Sequence, residues 1–496
     1  MTFISQHLVH LLSLFSNVFR QRSSAVFAVV IIVLLLSACV GNSPQEQSDL
    51  ALNAVNTTLP SLEQSQMQWQ DMHYLAADAK PWWQEFNDPV LHELVELTLE
   101  NSKDIGLAVA RLDEAVATAR GSRAGLFPTV NLDAEAGVSS TDLESNGLRS
   151  NSNRVNAASV NFVLAWQSDL FGQLRNLSAA DKVRLQGQSS RVRDTQRVIV
   201  GQVVQGYYQL VSTRKRIVLT KTSVDRRDGN VERINQLLVQ GYATALDKTR
   251  ADSQLYEARA QLAQLELEEV RLLNQISVLV GVDGVTMRNQ VKVSGELIVP
   301  AKTAPLPSIS LLIQHRPDLR AVERDLVAAA YNVNASKAAL YPTLGFRVEL
   351  GKGPDGGLTG AFPALDVITG GILTNLAMPI FGRGRLLAAI DASSARLQQA
   401  HRTFETTALR VISELDTSII SIDKNRIIYE QRLLASLSAN EAAELSKELF
   451  KAGELDYTSV ILAEQTRVSS ETSAITAQQA LLIAYITYLS AVAPAW

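Results

Sequence analysis

The chain has 496 residues and a formal net charge of −4, with 46 lysines and arginines against 50 aspartates and glutamates. This balance, with no basic tract along the sequence, excludes the proteins that bind nucleic acid by neutralising phosphates. The length exceeds what one hydrophobic core organises, so the chain must divide into domains or extend along an axis. Cys39 is the only cysteine, which excludes an intramolecular disulfide.

The N-terminal segment 1–38 has the pattern of a signal peptide. Arg20 and Arg22 precede an apolar run over 25–36, which ends in Leu36-Ser37-Ala38-Cys39. The run is shorter than the roughly 20 apolar residues of a transmembrane helix, although a retained N-terminal anchor with an incidental cysteine is the alternative. The last four residues resemble the lipobox of bacterial lipoproteins, which implies cleavage before Cys39 and acylation of that residue. Valine rather than aspartate at position 40 favours the outer membrane.

After Cys39 the sequence contains one long unit twice. Residues 104–137 align with 318–351 at a constant shift of 214, and Pro128-Thr129 meets Pro342-Thr343. Self-similarity at a fixed spacing indicates a repeated supersecondary unit. The sequence therefore predicts a tether and equatorial segment over 39–88, a first repeat over 89–300 and a second over 301–496.

Each repeat contains segments in which apolar and polar residues alternate. This period-two pattern predicts β-hairpins over 129–168 and 343–380, giving four strands with one apolar face. A strand of about 10 residues crosses a bilayer when it is tilted. The four strands are therefore predicted to span a membrane.

Proline is absent between Pro128 and Pro300 and between Pro379 and Pro494, so the segment after each β-hairpin contains none. Proline costs a helix interior about 3 kcal/mol, so these stretches predict long helical hairpins over 173–281 and 383–490. We expect two helices of roughly 50 residues in each, with turns near Asp228-Gly229-Asn230 and Ser436–Asn440. Periodicity alone also allows two ordinary helical-hairpin domains.

No catalytic constellation appears in the sequence. The histidines that remain after cleavage are His73, His92, His315 and His401, and none has metal-ligand spacing with another histidine or cysteine. Nucleophile elbows, phosphate-binding loops and dinucleotide fingerprints are missing too. We therefore predict no enzyme, no metal and no cofactor other than the covalent lipid on Cys39.

Four membrane strands are too few for a barrel. Unpaired backbone amides are excluded from hydrocarbon, and the smallest single-chain bacterial barrels have about eight strands. Several copies of the chain must then complete one cylinder, most simply with cyclic symmetry. The predicted fold is an α+β membrane protein with long helices.

Several motifs resemble the TolC-like superfamily of outer membrane factors. They are Trp82-Trp83-Gln84-Glu85-Phe86-Asn87-Asp88-Pro89, Asn101-x-x-Asp104, Leu126-Phe127-Pro128-Thr129, Asp169-Leu170-Phe171-Gly172 and Arg316-Pro317-Asp318-Leu319. With the lipobox they resemble the NodT-type lipoprotein branch, which serves resistance-nodulation-division efflux pumps. The resemblance implies a homotrimer whose twelve strands form one outer-membrane β-barrel, continued by a periplasmic α-helical barrel. It implies a passive exit channel with a periplasmic adaptor and an inner-membrane transporter as partners.

The resemblance also implies a periplasmic gate of acidic rings, for which Glu441, Glu444, Asp225 and Asp228 are the candidates. Carboxylates facing one axis would repel each other and make the gate sensitive to pH and divalent ions. A solvated helix face is the alternative.

Proline ends a helix and biases the residue before it towards extended backbone, so Pro128 and Pro342 are predicted helix-to-strand junctions. Gly172 and Gly382 are predicted to make the reverse change.

Two other functions stay open: an exit duct for type I protein secretion, and a periplasmic adaptor lipoprotein, against which the duplication argues.

Overall fold

A computed structural model describes residues 81–141, 144–145, 148–149, 153–290, 296–297, 315–353 and 367–492. Cys39, the signal peptide and the tether up to residue 80 lie outside these residues, as do residues 354–366.

A short 3-10 helix, Trp82–Phe86, precedes the first repeat, which continues through helices and strands in chain order. These are α1 (Pro89–Asn101), α2 (Lys103–Ala124), β1 (Thr129–Thr141), β2 (Glu144–Ser145), β3 (Leu148–Arg149), β4 (Asn153–Ser168), α3 (Gln173–Val239), α4 (Ala245–Val280) and α5 (Gly284–Gln290). The second repeat contains α6 (Pro317–Ala338), β5 (Thr343–Gly353), β6 (Val367–Ala377), α7 (Arg383–Ala452) and α8 (Tyr457–Val492).

The repeat seen in the sequence is also a repeat of structure. The shift that aligns the two copies in the sequence carries both ends of α2 onto both ends of α6, and the start of β1 onto the start of β5. Helices α4 and α8 have 36 residues each, while α3 and α7 have 67 and 70. At 1.5 Å per residue, the two longest helices extend for roughly 100 Å.

The predicted turn positions in the two helical hairpins are wrong. Helix α3 continues through Gly229 to Val239, and α7 continues through Ser436 to Ala452. One glycine costs a helix only about 1 kcal/mol, and the flanking residues pack: Ile234 and Ala439 are buried. The chain reverses instead at Gly241 and Gly453, whose φ angles are 80° and 78°. The hairpin arms are therefore unequal, not two helices of similar length.

The described residues form two compact units by their contacts. One comprises 115–185 and 325–401 and contains the sheet, while the other comprises 82–114, 186–324 and 402–492 and is helical. In the first unit, β1, β4, β5 and β6 form a four-stranded antiparallel sheet in that order. Strand β4 of the first repeat therefore pairs with β5 of the second.

The core of the helical unit is built around aromatic side chains. Trp82, Trp83 and Phe86 are buried, and Phe86 packs against Tyr208 with ring centroids 5.2 Å apart. Tyr207 donates a hydrogen bond to Asp88 Oδ2 at 2.6 Å. Asp88 also accepts from the backbone of Val90 and Leu91, capping α1 at its N-terminus. The Trp-Trp motif thus lies in the core.

Two buried arginines bind the C-terminal turn of α8. Arg197 donates to the Ser490 carbonyl at 3.1 Å, and Arg316 donates to the Ala491 carbonyl at 3.2 Å. Arg316 also pairs with Asp318 at 2.9 Å. Guanidinium groups suit this position, because the last carbonyls of a helix lack intrahelical donors and carry partial negative charge.

Helix α8 is apolar enough to span a membrane by composition, but 56% of its most apolar window is buried here.

Candidate functional site

One face of the sheet is apolar along all four strands. The register aligns Leu132 with Phe162 and Phe162 with Leu350, so the three side chains share a face. Because Cβ positions alternate along a strand, the same face also carries Val130, Leu164, Val348 and Ile372, aligned in the next row. Val130 and Ile372 are each 65% exposed. The predicted alternation is confirmed, and an apolar face of this extent is typical of a surface that contacts lipid or protein.

The opposite face of the sheet is mainly polar. Asp133 aligns with Asn161, and Asn161 lies beside Gly351 of β5. On the same face, Arg347 donates to Glu349 at 2.6 Å. The sheet therefore separates an apolar side from a hydrophilic side, as the wall of an aqueous pore requires.

The sheet is open within one chain. Strand β1 pairs only with β4, and β6 pairs only with β5, so β1 and β6 are its edges among the described strands. Each edge presents backbone groups that a further strand can pair with.

The helix-to-strand junctions have the same construction in both repeats. Helix α2 ends at Ala124, and the chain makes a tight turn in which Phe127 N–H donates to the Ala124 carbonyl at 3.0 Å. Pro128 follows and β1 begins at Thr129. Tyr341 N–H donates to the Ala338 carbonyl at 3.1 Å, ahead of Pro342 and β5.

The strand-to-helix junctions depend on left-handed glycines. Gly172 directly precedes α3 with φ 78°, and Gly382 directly precedes α7 with φ 85°. Asp169 accepts from the backbone N–H groups of Leu174 and Arg175 at 3.0 and 2.8 Å. These carboxylate contacts satisfy donors in the first turn of α3.

The turns of the helical hairpins are capped locally. Thr244 and Asp247 form a capping box at the start of α4, in which Asp247 N–H donates to Thr244 Oγ1 at 3.2 Å. In the second hairpin, the rings of Phe450 and Tyr457 lie 5.5 Å apart across the turn.

An ion network around Glu464 links the two helical hairpins. Glu464 of α8 accepts from Arg226 of α3 at 2.7 Å and from Arg467 at 2.7 Å, and it lies 3.5 Å from Lys447 of α7. We refer to these four residues as the Glu464 network. Arg467 also pairs with Glu471 at 2.9 Å. Three cations converge on a carboxylate whose side chain is 18% exposed, so the contacts are less screened than surface pairs.

The charges around Glu464 change its protonation. Burial acts to raise the pKa of Glu464, but hydrogen bonds from Arg467 and Arg226 and the charges of Arg467 and Lys447 outweigh it and lower the pKa to about 2. Glu464 is therefore ionised throughout the physiological range.

The four predicted gate residues are only partly connected to this network. Glu444 pairs with Lys447 at 2.7 Å, which lowers the pKa of Glu444 and links it to Glu464. Asp228 pairs separately with Arg259 of α4 at 2.8 Å. Glu441 and Asp225 are exposed on α7 and α3. The sequence analysis missed Glu464. The spacings of Arg467 from Glu464 and from Glu471 indicate ion pairs within one helix, but no sequence signal indicates the contact between Glu464 and Arg226.

The family follows from a comparison with family models. The model described as "Outer membrane efflux protein" matches residues 94–282 and 308–492, which together make up most of the chain. The chain belongs to this family. Its two matched ranges correspond to the two repeats, and the family consists of outer-membrane transport proteins rather than enzymes.

Individual relatives match this chain over most of its length and over most of their own. The chain is 27% identical over 485 residues to the pyoverdine export outer membrane protein OpmQ of Pseudomonas aeruginosa, covering 93% of this chain and 96% of OpmQ. It is 23% identical to the probable outer membrane lipoprotein SilC of Salmonella typhimurium, covering 88% and 92%. The outer membrane channel CmeC of Campylobacter jejuni superposes with a TM-score of 0.76 at 19% identity, covering 83% and 87%. The chain thus shares the fold of solved outer-membrane channels such as CmeC, and it is an outer-membrane efflux protein.

The junction glycines allow a matched test. Gly382→Ala is expected to destabilise the protein by about 1 kcal/mol, because a Cβ is unfavourable at positive φ although no atom lies within 4 Å of its position. Gly384→Ala, two residues later inside α7 with equally open surroundings, is expected to be neutral or stabilising. Thermal unfolding followed by circular dichroism checks this, and equal shifts for both variants would show that backbone conformation at Gly382 is unimportant.

Proposed function

We propose that three copies of this efflux protein form the exit duct of a tripartite pump, sharing one 12-stranded outer-membrane barrel. The observation that carries this proposal is the open sheet with an apolar face, bounded by β1 and β6. In hydrocarbon the backbone groups of both edges need partners. The β1 edge of one copy can pair antiparallel with the β6 edge of the next, and cyclic repetition then leaves no edge unpaired.

The duct would be continuous with the periplasmic helices. Helices α3 and α7 each follow a strand after a short junction, and each extends for roughly 100 Å. We propose that they line a helical barrel through the periplasm, joined at its end by a periplasmic adaptor and, through it, by an inner-membrane resistance-nodulation-division transporter. The transporter would supply the energy, and the duct would conduct passively.

Small molecules are the proposed cargo class. The related OpmQ is named for pyoverdine export, and a further relative from Pseudomonas putida, 26% identical over 418 residues, is a toluene efflux pump component. These names favour small-molecule efflux over type I protein secretion, which would use the same fold.

Cys39 is the proposed lipid attachment site. The lipobox-like sequence before it and the lipoprotein name of the relative SilC support this proposal. Cells fed an alkyne analogue of palmitate should yield labelled protein, and Cys39→Ser should abolish the label. Persistent labelling of the variant would contradict acylation at this residue.

Barrel closure can be tested with cysteine pairs on the two edges. Leu132→Cys in β1 is combined in turn with Ile372→Cys, Thr374→Cys or Leu376→Cys in β6, all on the apolar face. Within one chain the edges are separated by three strand spacings, about 14 Å, which a disulfide cannot bridge. Oxidation is therefore expected to give reducible trimers on denaturing gels for at least one pair.

A matched control uses two neighbouring strands. Phe162→Cys with Leu350→Cys joins residues that are directly opposite in the register, so this pair should oxidise within one chain and remain monomeric on the gel. If this control oxidises while all three edge pairs give only monomers, the barrel of copies is wrong.

We further propose that the hairpin ends form the gate. Three copies of Glu441 and Glu444, with Asp225 and Asp228 nearby, would ring the axis, and the Glu464 network would hold the hairpins of each chain together. The intrachain contacts from Arg226 and Lys447 to Glu464 support this second part.

Single-channel conductance in planar bilayers tests the two proposed parts of the gate, the acidic ring and the Glu464 network, separately. Glu464→Gln is expected to raise single-channel conductance because three cations lose their shared anion, and Glu441→Ala with Glu444→Ala should do so if the ring operates. Glu448→Gln, on the exposed surface of the same helix as Glu444, is the control. Unchanged conductance in Glu464→Gln would remove the network from gating.

The pH dependence of single-channel conductance tests the same gate independently. Because the folded pKa of Glu464 is lowered, its stabilisation is fully present above its ordinary value near 4.5 and is lost only as pH falls towards about 2. The network alone therefore predicts constant conductance between about pH 5 and pH 8. A change in that window would indicate repelling carboxylates of the ring, since like charges held close together favour the protonated form.

A further inference from the structure

A polar cavity of about 370 Å³ lies between α3, α4 and α8 in the helical unit. Four glutamines from the three helices line it: Gln209, Gln261, Gln264 and Gln479. Arg216 of α3 lines the same cavity. The volume falls within the range of small-molecule sites.

Arg216 differs from the buried arginines of this unit. Its Nε is buried and has no hydrogen-bond partner within the described ranges, whereas Arg197, Arg316 and Arg467 each donate to acceptors of the chain. A buried N–H of a charged group that has no acceptor is costly, and native proteins have few such groups. The described residues supply no acceptor for this N–H, so the position is open to one from a bound molecule.

The rest of the cavity wall adds donors. None of the four glutamine side chains makes a hydrogen bond to another of the described residues, so their amide N–H groups are available. Thr213 supplies a hydroxyl at a position that is 4% exposed. Glu268 also lines the cavity, and its half-exposed carboxylate lies 3.8 Å from Arg271.

We propose that this cavity is a binding site for a small oxyanion, a molecule with a carboxylate or phosphate group. The anion accepts from Arg216 Nε in a charge-assisted hydrogen bond, which is stronger than a neutral one. The glutamine amides turn their N–H groups towards the remaining oxygens. Leu265 and Leu272 are buried beside the cavity and exclude water from one side. This assignment is independent of the channel's proposed assembly.

Isothermal titration calorimetry on the purified full-length protein tests the site. Inorganic phosphate and succinate are titrated separately at constant ionic strength, with chloride as the arm for unspecific charge screening. We expect saturable binding of phosphate, succinate or both, with one site per chain, and the stronger of the two identifies the preferred group. The proposal is overturned if neither probe gives saturable heat, or if chloride displaces phosphate and succinate as effectively as they displace each other.

Variants localise the binding. Arg216→Gln is expected to weaken it at least tenfold, and Gln264→Leu, which removes an amide at an exposed position, should weaken it even if Arg216→Gln fails to fold. Lys215→Gln removes the same charge one residue earlier, where the side chain lines a different groove, and should retain full affinity. Unchanged affinity in Gln264→Leu, or equal losses in Lys215→Gln and Arg216→Gln, would contradict a site at this cavity.

Discussion

The proposed barrel depends on one constraint, which is that every backbone N–H and C=O group in hydrocarbon must be paired. The described residues of one chain include a four-stranded sheet, in which β4 and β5 are flanked on both sides while β1 and β6 are edges. A soluble protein protects such edges with charges, prolines or covering loops. Here the apolar face runs to both edges, with Val130 and Ile372 each 65% exposed. In a membrane, this constraint would leave one chain incomplete and would be met by a ring of chains, which is why we base the proposed function on the sheet.

The internal duplication provides both halves of that sheet. Helix α2 and helix α6 deliver their strands through equivalent proline turns, and β4 of one repeat pairs with β5 of the other. The duplicated hairpins also bring their helical arms together, so that Arg226 of the first reaches Glu464 of the second. The repeats are not interchangeable, however. The Glu464 network takes its anion from α8, whereas α4 pairs Arg259 with Asp228 of α3. Duplication therefore sets the architecture, and individual substitutions between copies set the charge contacts.

Charge in the helical unit serves several purposes. Arg197 and Arg316 satisfy carbonyl groups at the end of α8, where the backbone has no donors of its own. Arg226, Lys447 and Arg467 surround one carboxylate and keep it ionised. Arg216 has a buried Nε without an acceptor among the described residues and lines a cavity with glutamine amides. The first two arrangements are internally satisfied, so they stabilise the fold, while the third leaves a buried donor open to the bound anion that we propose.

The strands and the family could be recognised from residue order alone, because a period-two pattern and a repeat at a constant shift are local or translational features. The amphipathic sheet accordingly agrees with the predicted alternation of Leu132, Phe162 and Leu350. The hairpin turns could not be located in this way. Gly229 is tolerated inside α3 since packing of its neighbours outweighs a cost of about 1 kcal/mol, and the left-handed glycines that end the helices are distinguished only by backbone angle. Likewise, Arg226 and Glu464 are 238 residues apart, so their contact depends on how the hairpins pack and could be decided only by the tertiary structure.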